Sequence, residues 1–355
     1  MTNPSSASKW IVNPVYDGLF ILGGGILALV LFHFGTHRVL DLPTGFLIVL
    51  FLSGGHVIAP LFLILRDSHH RAHVLKIEPR FFKNCALLLL IPFALYGVAF
   101  GLYEAGVIRD FFYPAFIAGT IYIIWDRWHF AMQQFGLLQI YKTKLGLANS
   151  ANRKIDFAIC FASLAIAPAL FWFAFGIRDL FFANIWGHVP ENWPLWWAAE
   201  LILLSAAAFS LFHQWRLRRW HAQTLSLYLG VFIQAQLIGF DPLFTILVYN
   251  GLHWLQAVAL AAALYRQGEP RNANWNPKTL FFAAGTLVAI SFLMQWCYHL
   301  EFFRVHRLSP FGDIAGVENL PPLPLLGLIF FVGLMLALDL MHFYSDRLLY
   351  KRREW

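Results

Sequence analysis

Apolar residues arrive along this chain in long blocks separated by short polar stretches. The blocks run approximately over 18–35, 44–65, 84–107, 111–141, 157–176, 195–213, 225–240, 243–265, 279–299 and 325–344. About 20 apolar residues suffice to cross about 30 Å of hydrocarbon as a helix. The pattern therefore predicts an all-α, polytopic membrane bundle of about ten transmembrane helices. The seventh block is short, and Asp241-Pro242 separates it from the eighth, so this pair also fits a kinked or re-entrant segment. The fourth block is long enough for its inner end to project beyond the membrane. No repeat of fixed period interrupts the pattern and the loops are short. We therefore expect one membrane domain over residues 1–355, with 1–17 as an N-terminal segment and 345–355 as a basic tail.

Composition supports a membrane solvent. Apolar residues make up 59% of the 355 and charged residues 13%, and mean hydropathy is +0.61. The charged fraction is about half the roughly 25% usual in soluble domains. Only three cysteines occur, Cys85, Cys160 and Cys297, all in apolar stretches, which excludes a disulfide scaffold. The 36 Phe, 14 Trp and 12 Tyr exclude disorder.

The net charge of +7 could point to nucleic acid, but no basic face or RNA-binding motif accompanies it. The charge follows topology instead. With the N-terminus inside, the inner segments carry 20 Lys and Arg. The outer ones carry five: Arg38, Arg109, Arg178, Arg304 and Arg307. This is a positive-inside pattern, and an even number of spans places both termini in the cytoplasm. The opening MTNPSSASKW lacks the basic start of a secretory signal. The expected location is a bacterial inner membrane.

Ionisable groups inside the spans are the next departure. An Asp or Arg at mid-membrane costs about 2.5–3.5 kcal/mol on insertion scales, and such groups usually face the bundle interior with a task. The fourth span carries Asp126, Arg127, His129 and Gln133; Asp126, His129 and Gln133 share a helix face at i, i+3 and i+7. The tenth repeats the offsets with Asp339, His342 and Asp346. The eighth has Asn250, His253 and Gln256, an amide replacing the carboxylate. His56 follows the small residues Ser53-Gly54-Gly55, and the second span exits into a cluster of His69, His70 and His73.

Each histidine taken singly fits a structural role, bonded to a carbonyl or a Tyr. The set argues otherwise. Interhelical hydrogen bonds in membranes return about 0.6 kcal/mol each, too little for three helices with buried polar triplets, whereas a bound metal returns far more. All these elements lie at mid-depth or nearer the cytoplasm in the expected topology. We therefore expect His56, His69, His70, His73, His129, His253 and His342, with Asp126, Asp339 and Asp346, to bind metal or to orient the imidazoles that do. Gln133, Asn250, Gln256 and Arg127 would support them from behind. Imidazole with carboxylate suits iron, and also copper or zinc. Arg127 beside Asp126 reads most simply as a buried ion pair. His213 and His221 flank a basic inner loop and are expected to face lipid. The Gly23-Gly24-Gly25 run reads as a close-packing face.

The His69-His70-x-x-His73 cluster, with His56 upstream, resembles the histidine boxes of di-iron membrane desaturases and hydroxylases. That resemblance covers some twenty residues, and the order here is HHxxH. It implies oxygen-dependent oxidation of a lipid-like or isoprenoid substrate at a mono- or dinuclear iron near the cytoplasmic face, with an external electron donor. Two other classes fit parts of the pattern. A haem protein for electron transfer or haem handling needs only a facing histidine pair, such as His129 and His253. A proton-coupled transporter could use Asp126, Arg127, Asp339 and His342 as a relay.

Overall fold

The computed structural model describes residues 9–24, 26–27, 29–30, 33, 56–57, 59–65, 67–107, 112–175, 190–217, 220–240, 252–263, 285 and 325–349. Every regular element among them is helical. A helical turn at Pro14–Tyr16 leads into a π-helical stretch, Asp17–Leu22. There follow α1 (Ser68–Ile77), α2 (Phe81–Glu104) and α3 (Phe112–Lys144). α4 begins as Ser150–Phe161 and passes through a π-helical turn, Ala162–Ile166, into Ala167–Ala174. α5 spans Trp193–Leu217, α6 Ala222–Phe240, α7 Leu252–Ala263 and α8 Leu325–Leu349.

Local chemistry sets the helix ends. Asp67 caps α1 by accepting from the His69 backbone N–H at 2.8 Å, and Asn149 caps α4 by accepting from that of Asn152 at 2.7 Å. After α3, Gly146 takes φ +67°, and the Leu147 N–H returns to the Lys142 carbonyl at 2.7 Å. After α2, Gly106 takes φ +70°, with Val107 bonded back to Leu102 at 2.9 Å. Both are helix stops that only glycine adopts without strain.

Among the described residues, four helical segments are long and apolar enough to cross a membrane: Phe81–Glu104, Ala151–Ala174, Trp193–Arg216 and Ala222–Phe240. They coincide with the third, fifth, sixth and seventh blocks of the sequence. α3 and α8 occupy the fourth and tenth blocks as helices. The ninth block apart from residue 285, the Asp241-Pro242 break and both chain ends lie outside the described residues.

The chain divides into two compact units, one formed by residues 1–42, 123–259 and 354–355, the other by 43–122 and 260–353. In the first, Phe130, Leu164, Phe171, Trp172, Leu203, Val231 and Ile238 build a buried core from α3, α4, α5 and α6. α6 approaches α4 at Gly239, where a Cβ would lie 2.8 Å from the Phe171 ring. Gly24 lies against the side chains of Gln256 and Gln234, at distances of 3.4 and 3.7 Å from its would-be Cβ. In the second unit, α8 packs on α2 and α1. Tyr344 stacks on Phe81 at 5.6 Å and accepts from the Asn84 amide at 2.7 Å. Gly333 admits the Phe93 ring, 3.0 Å from where a Cβ would stand.

Candidate metal centre

α3 turns His129 and Phe130 inward, while Trp125 and Trp128 on its other side stay exposed. α7 brings His253 to the same place. The two imidazoles meet edge to face with ring centres 5.1 Å apart. Phe130 stacks nearly flat on His253 at 3.7 Å. The Gln133 amide donates to the His253 carbonyl at 3.4 Å. One residue further on, Gln134 donates to Gln256, whose own amide donates to the Ile21 carbonyl at 2.7 Å. Amides thus tie α3 to α7 and α7 to the N-terminal π-helical stretch, while the ring contacts fix the imidazoles.

α8 buries His342 completely, and His56 lies against it with ring centres 3.9 Å apart. Asp346, one turn along α8, places a carboxylate oxygen 3.5 Å from His342 Nε2. A carboxylate set behind an imidazole fixes which nitrogen points forward and raises its basicity.

Each unit thus holds a pair of buried imidazoles that could offer ligand atoms to a metal, His129 with His253 in the first and His56 with His342 in the second. All four residues are buried. The donor set fits the metals that take imidazole: zinc, copper, iron and nickel. Four neutral imidazoles leave the positive charge of a bound ion uncompensated by the ligand atoms. The Asp346 carboxylate places negative charge 3.5 Å from His342 Nε2.

No protein family, curated protein or solved structure compared with this chain matches it.

The other candidates fall as follows. His70 is buried on α1, its Nδ1 engaged with Asp67, the residue that also caps the helix. His69 is exposed and His73 half-buried. Asp126 pairs with Arg127. The Arg127 guanidinium lies 4.2 Å over the Phe130 ring and 5.1 Å from that of Trp172. Asp339 is buried on α8, one turn before His342. Asn250 lies outside the described residues. His213 is buried near the Lys142–Asp156 pair, not turned to lipid as its flanking position implied; α5 faces that pair at this level.

Sequence reasoning passed over three features. Phe130 and Gln134 lie one turn apart on α3, on a stripe beside the Asp126, His129 and Gln133 face. Asp17 was assigned to a polar N-terminal segment. It is buried, accepts from the Ile11 and Val12 N–H groups at 2.6 and 3.0 Å, and receives the Tyr141 hydroxyl at 2.7 Å. Lys142 and Asp156 form a buried pair at 2.6 Å that also takes Gln139 and the Tyr228 hydroxyl. Nothing in the local spacing of Lys142 or Asp156 marks them.

Proposed function

We propose that this protein is a metal-dependent integral membrane oxidoreductase of the oxygenase, hydroxylase or desaturase type, acting on a lipid-like or isoprenoid substrate. The observation that carries the reading is two pairs of buried imidazoles in contact, His129 with His253 and His56 with His342, which in this proposal share one ion. Burying four imidazoles in an apolar bundle is costly, and a shared ion repays that cost as no set of hydrogen bonds would. The proposed ion is iron, mono- or dinuclear, with copper or zinc as the other metals this donor set accepts. When bound, it would supply the one-electron chemistry for oxygen-dependent oxidation, the electrons coming from an external donor.

This chain's own residues have definable parts in that scheme. His56, His129, His253 and His342 hold the ion. Asp346 orients His342 and supplies negative charge. Phe130 and Gln133 fix His253, and the surrounding apolar side chains exclude water. The proposed setting is a ten-pass bundle in a bacterial inner membrane with both termini in the cytoplasm. The positive-inside count and the four span-length helices support it.

Clustering favours an ion over a haem. A porphyrin fills the equatorial positions of its iron and leaves two axial ones, whereas the proposed ion takes four imidazoles. The transporter reading needs a proton relay of carboxylates and histidines, and the cluster itself is imidazole alone.

The test is elemental analysis with an optical spectrum on detergent-purified protein, repeated on His129→Ala, His253→Ala and His342→Ala. We expect a stoichiometric transition metal in the wild type and its loss in each variant. Metal that survives all three changes, or a Soret band in the wild type, overturns the proposal.

A further inference from the structure

Three helix ends meet at one corner of the second unit. α8 is fixed there against the start of α2, where Tyr344 stacks on Phe81 and accepts from Asn84. Arg347 follows Tyr344 by three residues, on the same side of α8. Its charge and that of Glu78, at the end of α1, both reach the Tyr344 hydroxyl. Lys76 lies in the last turn of α1, Arg80 immediately precedes α2 and Lys83 lies in the first turn of α2. Lys76, Arg80, Lys83 and Arg347 are all exposed, and none forms an ion pair with a carboxylate among the described residues. The carboxylates nearest in the chain are otherwise engaged: Glu78 accepts from the Arg80 backbone N–H at 3.3 Å, and Asp346 turns inward to His342.

The surface beside these cations is apolar. Arg80, Lys83, Leu87 and Leu90 fall at i, i+3, i+7 and i+10, on one face along the start of α2. Leu87 is 49% and Leu90 60% exposed, and α2 is apolar enough to cross a membrane. One face of the helix thus carries cations at its root and bare aliphatic side chains above them. An acidic protein would answer the cations and leave the leucines uncovered. A phospholipid with net negative charge answers both, since its phosphate oxygens accept from Arg and Lys while its chains cover the leucines. Cations clustered where a span leaves the membrane attract anionic headgroups for the same reason.

We propose that the corner formed by Lys76, Arg80, Lys83 and Arg347 binds the headgroup of one anionic phospholipid, with an acyl chain along Leu87 and Leu90. In the proposed orientation the lipid belongs to the cytoplasmic leaflet. Arg347 is far from the other three cations in the chain, so the site exists only where α8 packs on α2 and α1. It rests on the membrane reading and is independent of the metal.

Native mass spectrometry of the full chain in detergent tests it, with phosphatidylglycerol and phosphatidylcholine of the same acyl chains titrated in turn. We expect phosphatidylglycerol to bind the more tightly. A Lys or Arg near the surface contributes about 5-fold. Arg80→Gln with Lys83→Gln, and separately Lys76→Gln with Arg347→Gln, should therefore each weaken phosphatidylglycerol by about 25-fold and leave phosphatidylcholine unchanged. Arg153→Gln with Lys154→Gln removes the same charge from the exposed start of α4 and should leave the preference intact. Equal binding of the two lipids, or an equal loss in the α4 variant, means general attraction to a basic protein and overturns the proposal. Binding that the Lys76 and Arg347 changes leave unaltered overturns the three-helix site. Displacement of the lipid by millimolar inorganic phosphate means that the corner takes phosphate alone and overturns the lipid assignment.

Discussion

Asp346 places a carboxylate oxygen 3.5 Å from His342 Nε2, close enough for its charge to act on that imidazole, and that distance makes a quantitative prediction. Asp346→Asn keeps the volume and removes the charge. Metal affinity should fall by about 10–100-fold, the usual effect of losing such a supporting partner, measured by chelator competition. An unchanged affinity would mean that Asp346 serves the helix and not the ion. The histidines themselves were legible as candidates because Asp/Asn-x-x-His recurs in three apolar spans, where any ionisable group demands a reason. Their partners were less so. The Phe130 ring on His253 is one of 36 phenylalanines, and nothing in its neighbours separates it from the rest. Contact across more than a hundred residues leaves no local trace.

Helix placement was readable from hydropathy, while the ties between helices were not. Lys142 near the end of α3 and Asp156 near the start of α4 form a pair at 2.6 Å, both nearly inaccessible, and Tyr228 on α6 bonds to the same carboxylate. Three helices thus meet at one charge pair. Breaking a buried pair strands the remaining charge, at a cost of about 3–5 kcal/mol, whereas replacing both members with apolar residues is often neutral. Lys142→Met should therefore lower the thermal unfolding temperature in detergent sharply, and the double change with Asp156→Leu should recover most of the loss. If the double variant is no better than the single one, the pair does more than hold helices together. Gly239 offers a milder case. A Cβ there meets the Phe171 ring at 2.8 Å, so Gly239→Ala overpacks the contact between α6 and α4 and should cost about 1–3 kcal/mol by the same assay. In the sequence both positions look unremarkable: a lysine in a basic loop, a glycine near a helix end.

The proposed topology joins these helices to a membrane of fixed thickness. α3 has 33 residues, so at 1.5 Å per residue it is about 50 Å long, well beyond the roughly 30 Å hydrocarbon core. Its last turn carries Lys142 and Lys144, and Gly146 ends it. A helix this long with charge at one end projects from that end, and the excess of 20 Lys and Arg over five puts that end in the cytoplasm. Single cysteines introduced beside Lys144 and beside Arg178, in a background lacking the native three, should then be modified from opposite sides. A membrane-impermeant maleimide should label the Arg178 position in intact spheroplasts and the Lys144 position only after lysis. Cytoplasmic reporters fused after Trp355 should be active and periplasmic ones silent. Labelling of both cysteines from outside would invert or break the proposed orientation. It would also carry the histidine-bearing ends of α3 and α8 away from the compartment where a soluble electron donor could reach them, so the orientation and the proposed chemistry stand or fall on one experiment.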